Sequence, residues 1–100
     1  MPDEIAQLPS ERIAEICRRN RVRELSVFGS ALTERFGPTS DLDLLVVFDP
    51  DAEIGFLALA KLQRELSALV QRPVDLVPKA GLKATIREAV LAGAQVIYAA

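Results

Sequence analysis

One hundred residues, half of them apolar, are enough for one compact core, since a domain of this length buries about two-thirds of the surface its unfolded chain exposes. The formal net charge of -2 provides no field that would hold nucleic acid or an anionic membrane, so direct nucleic-acid binding is not expected. A single cysteine and the lack of histidine exclude an intramolecular disulfide, a cysteine-based zinc site and histidine acid–base chemistry. Pro2, Asp3 and Glu4 stand where the basic region of a secretory leader would be. No apolar run approaches the ~20 residues of a membrane span. The expectation is a cytoplasmic protein, with residues 1–100 forming one domain.

In chain order, the first predicted element is a helix with Ser10 as N-cap, Ile13, Ile16 and Cys17 at helical spacing, and Asn20 closing it in a left-handed conformation. Cys17 reads as a small core residue. Arg18, Arg19, Arg21 and Arg23 read as a solvated helix end that favours the macrodipole. Glu24 to Phe28 follow as a strand rich in β-favouring side chains. Gly29 and Ser30 turn the chain into a short helix over 31–35, and Gly37 and Pro38 mark 36–40 as a loop. Leu42 to Phe48 is a strand with no polar face after Asp43, which places it centrally in a sheet.

Beyond the Asp49-Pro50-Asp51 break, an apolar stripe that includes Ile54, Leu57, Ala58, Leu62, Leu66, Leu69 and Val70 predicts an amphipathic helix over 52–70. Val74 to Val77 form a short strand with Asp75 at its middle, ended by Pro78. A last helix over 82–92 turns Ile86, Ala89 and Val90 inward, with Gly93 as its cap, and Gln95 to Tyr98 form an edge strand. Tyr98 reads as rim packing. No repeat, low-complexity tract or linker interrupts the pattern.

Three aspartates need a reason within this order. Side chains alternate along a strand, so Asp41 and Asp43 project to one side while Leu42 and Leu44 point to the other. Carboxylates that close repel unless a cation lies between them. The strand that holds Asp75 can pair beside the first two, which would bring three carboxylates together. An all-oxygen set of this kind suits Mg²⁺ or Mn²⁺, which bind few carboxylates and complete their shells with water and substrate phosphates. Gly29 and Ser30 supply a complementary half: a strand leading through Gly-Ser into a helix exposes backbone N–H groups at a positive helix end, where a phosphate can approach closely. A Gly-Ser step or an Asp-x-Asp alone is a weak signal, since both are common at turns. Their combination is stronger.

Phe28-Gly29-Ser30, ten intervening residues, then Asp41-Leu42-Asp43 and an apolar run together resemble the signature of the DNA polymerase beta-like nucleotidyltransferase superfamily. The small size makes the stretch most similar to the minimal nucleotidyltransferases, or MNT domains. The resemblance implies an α/β (α+β) nucleotidyltransferase fold: a mixed β-sheet of three or four strands flanked by about four helices. It implies Gly29 and Ser30 on the nucleotide phosphates, and Asp41 and Asp43 as ligands of two Mg²⁺ ions. Asp75 would be the third carboxylate, holding the catalytic metal and receiving the proton of the attacking hydroxyl. Many relatives have an arginine soon after Gly-Ser, whereas here Ala31, Leu32 and Thr33 follow and the first basic residue is Arg35, a candidate for the triphosphate or a solvated helix-end charge.

The implied reaction is transfer of AMP from ATP to an acceptor hydroxyl. Relatives of this size are often antitoxins paired with a helical HEPN ribonuclease toxin, so the implied partner is a HEPN-type protein. Larger members carry a second, acceptor-binding domain, which is not expected in a chain read as one minimal domain. The alternative is a non-catalytic binding module that neutralises its partner by contact.

Overall fold

The computed structural model describes residues 8–29 and 41–100, and all elements below lie within those segments. They comprise α1 (Ser10–Arg19), β1 (Val22–Phe28), β2 (Leu42–Phe48), α2 (Phe56–Val70), β3 (Val74–Pro78), a short 3₁₀ turn (Lys79–Gly81), α3 (Ala84–Gly93) and β4 (Gln95–Ala99). The four strands form one mixed sheet in the order β3-β2-β1-β4. β1 runs antiparallel to both β2 and β4, while β2 and β3 are parallel, with α2 as the crossover between them. The predicted helix over 31–35, the loop over 36–40, Ser30 and Arg35 lie outside the described residues.

Alternation along the strands builds the core. Leu42, Leu44 and Val46 of β2 are buried on one face, level with Val27 and Leu25 of β1 and with Val74 and Leu76 of β3. Ile13, Ile16 and Cys17 of α1 and Leu62 and Leu66 of α2 close over that face. Fully buried apolar side chains of this size each contribute roughly 1.5–3 kcal/mol over exposure, which is what overrides the weak local preferences of a short chain. Leu45 and Ser26, on the opposite face, are also buried. β2 is therefore covered on both sides, and its interior position agrees with its lack of a polar face.

Several element ends differ from the sequence expectation. Pro9 rather than Ser10 stands at the N-cap of α1, without a side-chain capping bond, because the backbone enters the helix one residue early. Asn20 does not turn left-handed (φ -102°); Arg21 does, at φ 62°. Asn20 closes α1 with its side chain instead: Nδ2 donates to the Ile16 carbonyl at 2.8 Å and to Glu65 Oε1 on α2 at 3.0 Å. Arg19 also reaches Glu65, at 3.1 Å, and Arg21 reaches Asp49 at 3.3 Å. Arg18, Arg19, Arg21 and Arg23 are all exposed, Arg19 and Arg21 are paired within the chain, and Arg23 lies in β1 rather than at the helix end.

α2 begins at Phe56, not at residue 52. Asp49 accepts a turn bond from the Ala52 N–H, and the extended Gly55 stands at the N-cap, where glycine avoids the ~1 kcal/mol it costs inside a helix. Leu57, expected inward, is consequently in the first turn and 81% exposed. α3 also departs from expectation. It buries no residue fully; Ile86 and Ala89 are exposed and only Val90 of the expected three is half-buried. Gly93 is the last residue of α3 rather than its cap, and Ala94 leaves the helix extended (φ -69°, ψ 143°). Tyr98 packs at the edge of the core, and Cys17 is fully buried, with its thiol pushed up to about 12 chiefly by desolvation. Among the described residues, no helix is long and apolar enough to cross a membrane.

Candidate active site

The carboxylates gather where β1 ends and β2 begins. β1 finishes at Phe28, whose register partner is Asp43, and the chain then turns at Gly29 with φ +75°. That backbone conformation is open to glycine and strained for residues with a Cβ. Space demands glycine as well: a Cβ built on Gly29 would overlap Asp43 Oδ2 and lie 3.3 Å from its Cγ. The Asp43 carboxylate therefore lies directly against Gly29. The two halves of the motif, separated by twelve residues in sequence between Ser30 and Asp43, meet through this contact of glycine and carboxylate.

Asp75 joins them through register. In the parallel β2–β3 pair, Asp43 stands opposite Asp75, with Leu42 opposite Val74 and Leu44 opposite Leu76. The apolar partners face the core and the two aspartates face away from it, so the alternation that buries the core also juxtaposes the acids. Asp41 lies one residue before β2, exposed, on the same side as Asp43. The electrostatics record this proximity. The Asp43 carboxyl is held above its ordinary range, first by desolvation, then by the negative charge of Asp75, then by that of Asp41.

The donors of this group are all carboxylate oxygens, a chemistry that fits Mg²⁺ or Mn²⁺. Among the described residues, the side chains as placed do not form a closed group of three or more metal-ligating residues.

Two side chains that brace the strand of Asp75 are not visible in the sequence pattern. β3 is an edge strand, and its Val74 and Leu76 N–H groups, on either side of Asp75, donate to α2 side chains: Val74 to Ser67 Oγ at 3.1 Å and Leu76 to Gln63 Oε1 at 3.2 Å. Ser67 Oγ in turn donates to the Gln63 carbonyl at 2.8 Å. Spaced one helical turn apart, Gln63 and Ser67 pin the strand on both sides of the third carboxylate. The only sequence signal for them is polarity at positions beside the apolar stripe of α2.

With this geometry in place, comparison with known proteins is decisive. Residues 10–97 match the family model described as "Nucleotidyltransferase domain". The chain belongs to that nucleotidyltransferase family. It is 35% identical over 96 residues to the protein adenylyltransferase MntA of Thermococcus cleftensis, covering 96% of this chain and 93% of that one. A solved structure described provisionally as a minimal nucleotidyltransferase superposes with a TM-score of 0.75 at 34% identity, over 94% of each chain. The fold also matches a chain of the tri-AMPylated Shewanella oneidensis HEPN toxin in complex with MNT antitoxin (TM-score 0.67, 20% identity, 94% of this chain and 72% of that one). The mixed four-stranded sheet with its three described α-helices is thus a nucleotidyltransferase fold, and the resemblance to minimal nucleotidyltransferases holds along nearly the whole chain.

Proposed function

We propose that this nucleotidyltransferase is a metal-dependent protein adenylyltransferase that moves AMP from ATP to a hydroxyl of a partner protein, acting in the cytoplasm as the antitoxin of a HEPN/MNT pair. The observation that carries the reading is the seating of the Asp43 carboxylate against Gly29, the glycine assigned to the phosphates, and opposite Asp75. The name of the Thermococcus relative and the AMPylated toxin complex support the choice of AMP and of a protein acceptor.

In this reading the acceptor hydroxyl oxygen bonds to the α-phosphorus of ATP, the bond from that phosphorus to the pyrophosphate oxygen breaks, and pyrophosphate leaves. Asp75, exposed at the ledge, takes the hydroxyl proton. Gly29 lets a phosphate approach the backbone, and Ser30 and Arg35 are assigned to the phosphates on the motif. Asp41, Asp43 and Asp75 would hold two Mg²⁺ ions, which when bound neutralise charge on the attacking and leaving oxygens. The half-buried Asp43, whose charge is disfavoured in the bare protein, is the residue that gains most from a cation.

The test has two parts. Asp41→Ala and Asp43→Ala should abolish Mg²⁺-dependent ATP binding while leaving the circular dichroism spectrum unchanged; unaltered binding in both refutes the catalytic reading. Incubation with α-labelled ATP and the HEPN-type protein encoded beside it should place label on that protein. A tight complex without label would favour inhibition by contact.

A further inference from the structure

The end of the sheet remote from the carboxylates carries an apolar groove. One part, about 550 Å³, is lined by residues that include Phe48, Ile54, Pro78, Lys79 and Arg87; the adjoining part, about 200 Å³, shares Phe48, Ile54 and Pro78 and adds Phe56 and Leu59. At its margin the first turn of α2 holds Phe56 and Leu57 82% and 81% exposed, an unusual display for two large apolar side chains in succession. The groove lies at the C-terminal ends of β2 and β3, five residues along β2 from Asp43, or roughly 16 Å at the rise of a strand.

Its charge is one-sided. Among the described residues the lining holds no carboxylate, and its two ionic side chains, Lys79 and Arg87, are cations in a chain that is acidic overall. Neither is in an ion pair among the described residues; Arg87 Nη1 donates only to the Lys79 carbonyl, at 3.1 Å. That bond ties α3 to the 3₁₀ turn and keeps both cations at one wall.

We infer that this groove seats the apolar side of an acidic amphipathic helix of a partner protein. The two lobes, joined at Phe48, Ile54 and Pro78, suit successive anchors at helical spacing, and Lys79 and Arg87 meet carboxylates flanking them. Docking there leaves the Asp43 ledge open, so a partner held by the groove can present another of its segments to the chemistry. Binding energy gained away from the reacting atoms would then serve to orient the acceptor. The inference rests on the reading that the chain acts on a protein partner, but it is tested without nucleotide or metal.

The probe is a synthetic amphipathic helical peptide with leucines at i, i+3 and i+7 flanked by glutamates, titrated into the ¹⁵N-labelled full chain. Saturable amide shifts confined to residues 48, 54–59 and 79–87 are expected. Phe56→Asp, at a position exposed enough to leave folding intact, should weaken binding at least tenfold, as should Lys79→Glu. A peptide with lysines in place of the glutamates should bind at least fivefold more weakly. No saturable shift, or shifts centred elsewhere, overturns the groove while leaving the adenylyltransferase reading to its own test. Concentration-dependent dimerisation of the chain alone, abolished by Phe56→Asp, also overturns it, because a second copy is then the occupant.

Discussion

Gly29→Ala probes the contact that joins the two halves of the site, and its cost has two separable sources. The first is backbone strain. At φ +75° an L-residue loses roughly 1–2 kcal/mol relative to glycine, which for a domain of this size lowers Tm by about 4–8 °C per kcal/mol. The second is steric and local: the new Cβ would overlap Asp43 Oδ2, so the carboxylate must swing away from residue 29. A side chain can make that movement cheaply, so its penalty falls on function more than on stability. Urea denaturation of wild type, Gly29→Ala, Asp43→Ala and the double variant separates the two. Strain should persist in the Asp43→Ala background, while the clash should disappear, giving a coupling energy of about 0.5 kcal/mol or more. Gly29→Ala should also lose Mg²⁺-dependent ATP binding at temperatures where it remains folded. Wild-type stability together with wild-type nucleotide binding would refute both parts of the reasoning. Additivity within ~0.3 kcal/mol would refute the steric part alone.

Three further outcomes follow from the geometry. Because the folded protein holds the Asp43 carboxyl above its unfolded range, ionisation is destabilising at neutral pH; the favourable state lies below the ordinary carboxylate range and is lost as pH rises through the raised value. Asp43→Asn should therefore raise Tm by a few degrees at pH 7 without metal, the gap narrowing on acidification, and Mg²⁺ should stabilise the wild type more than the variant, as read by thermal denaturation. Ser67→Ala leaves the Val74 N–H without its acceptor, at a cost of roughly 1–3 kcal/mol; Gln63→Ala does the same for Leu76, and hydrogen exchange should speed at that amide in each variant while the Leu45 amide stays protected. The Cys17 thiol, raised to about 12, stabilises the fold fully below the unfolded value near 9 and is lost as pH climbs through that interval. Iodoacetamide should accordingly modify Cys17 at pH 9 only in denaturant, with mass spectrometry as the readout.

What could be read without coordinates depended on whether the controlling interaction was local. β2 was legible because six of its seven residues are apolar, a run that is stable only when both faces are covered. Gly29 was legible as a turn, but not as the floor beneath Asp43, since that contact is made across two strands. α2 shows the opposite limit. Apolar periodicity runs continuously from Ile54 to Val70, yet Gly55 delays the helix to Phe56, so Leu57 falls in the exposed first turn instead of in the core. Periodicity reports which side chains share a face; it does not report whether anything lies opposite that face. The same reasoning explains α3, where Ile86 and Ala89 have the spacing of an inward stripe and little to pack against.

The least legible feature is the one on which the third carboxylate depends. Asp75 could be placed near Asp43 from the strand–helix–strand order, but its alignment is a matter of register, and a slip of one residue would turn it to the core face. β3 is short and lies at the sheet edge, where one side has no neighbouring strand to fix that register. Gln63 and Ser67 take the place of that neighbour, accepting from the N–H groups on either side of Asp75. They also occupy the edge that would otherwise be open to pairing with another chain. Two polar residues that an amphipathic reading assigns to solvent therefore hold the acidic ledge in line, and α2 positions the site through its polar flank as much as through Leu62 and Leu66.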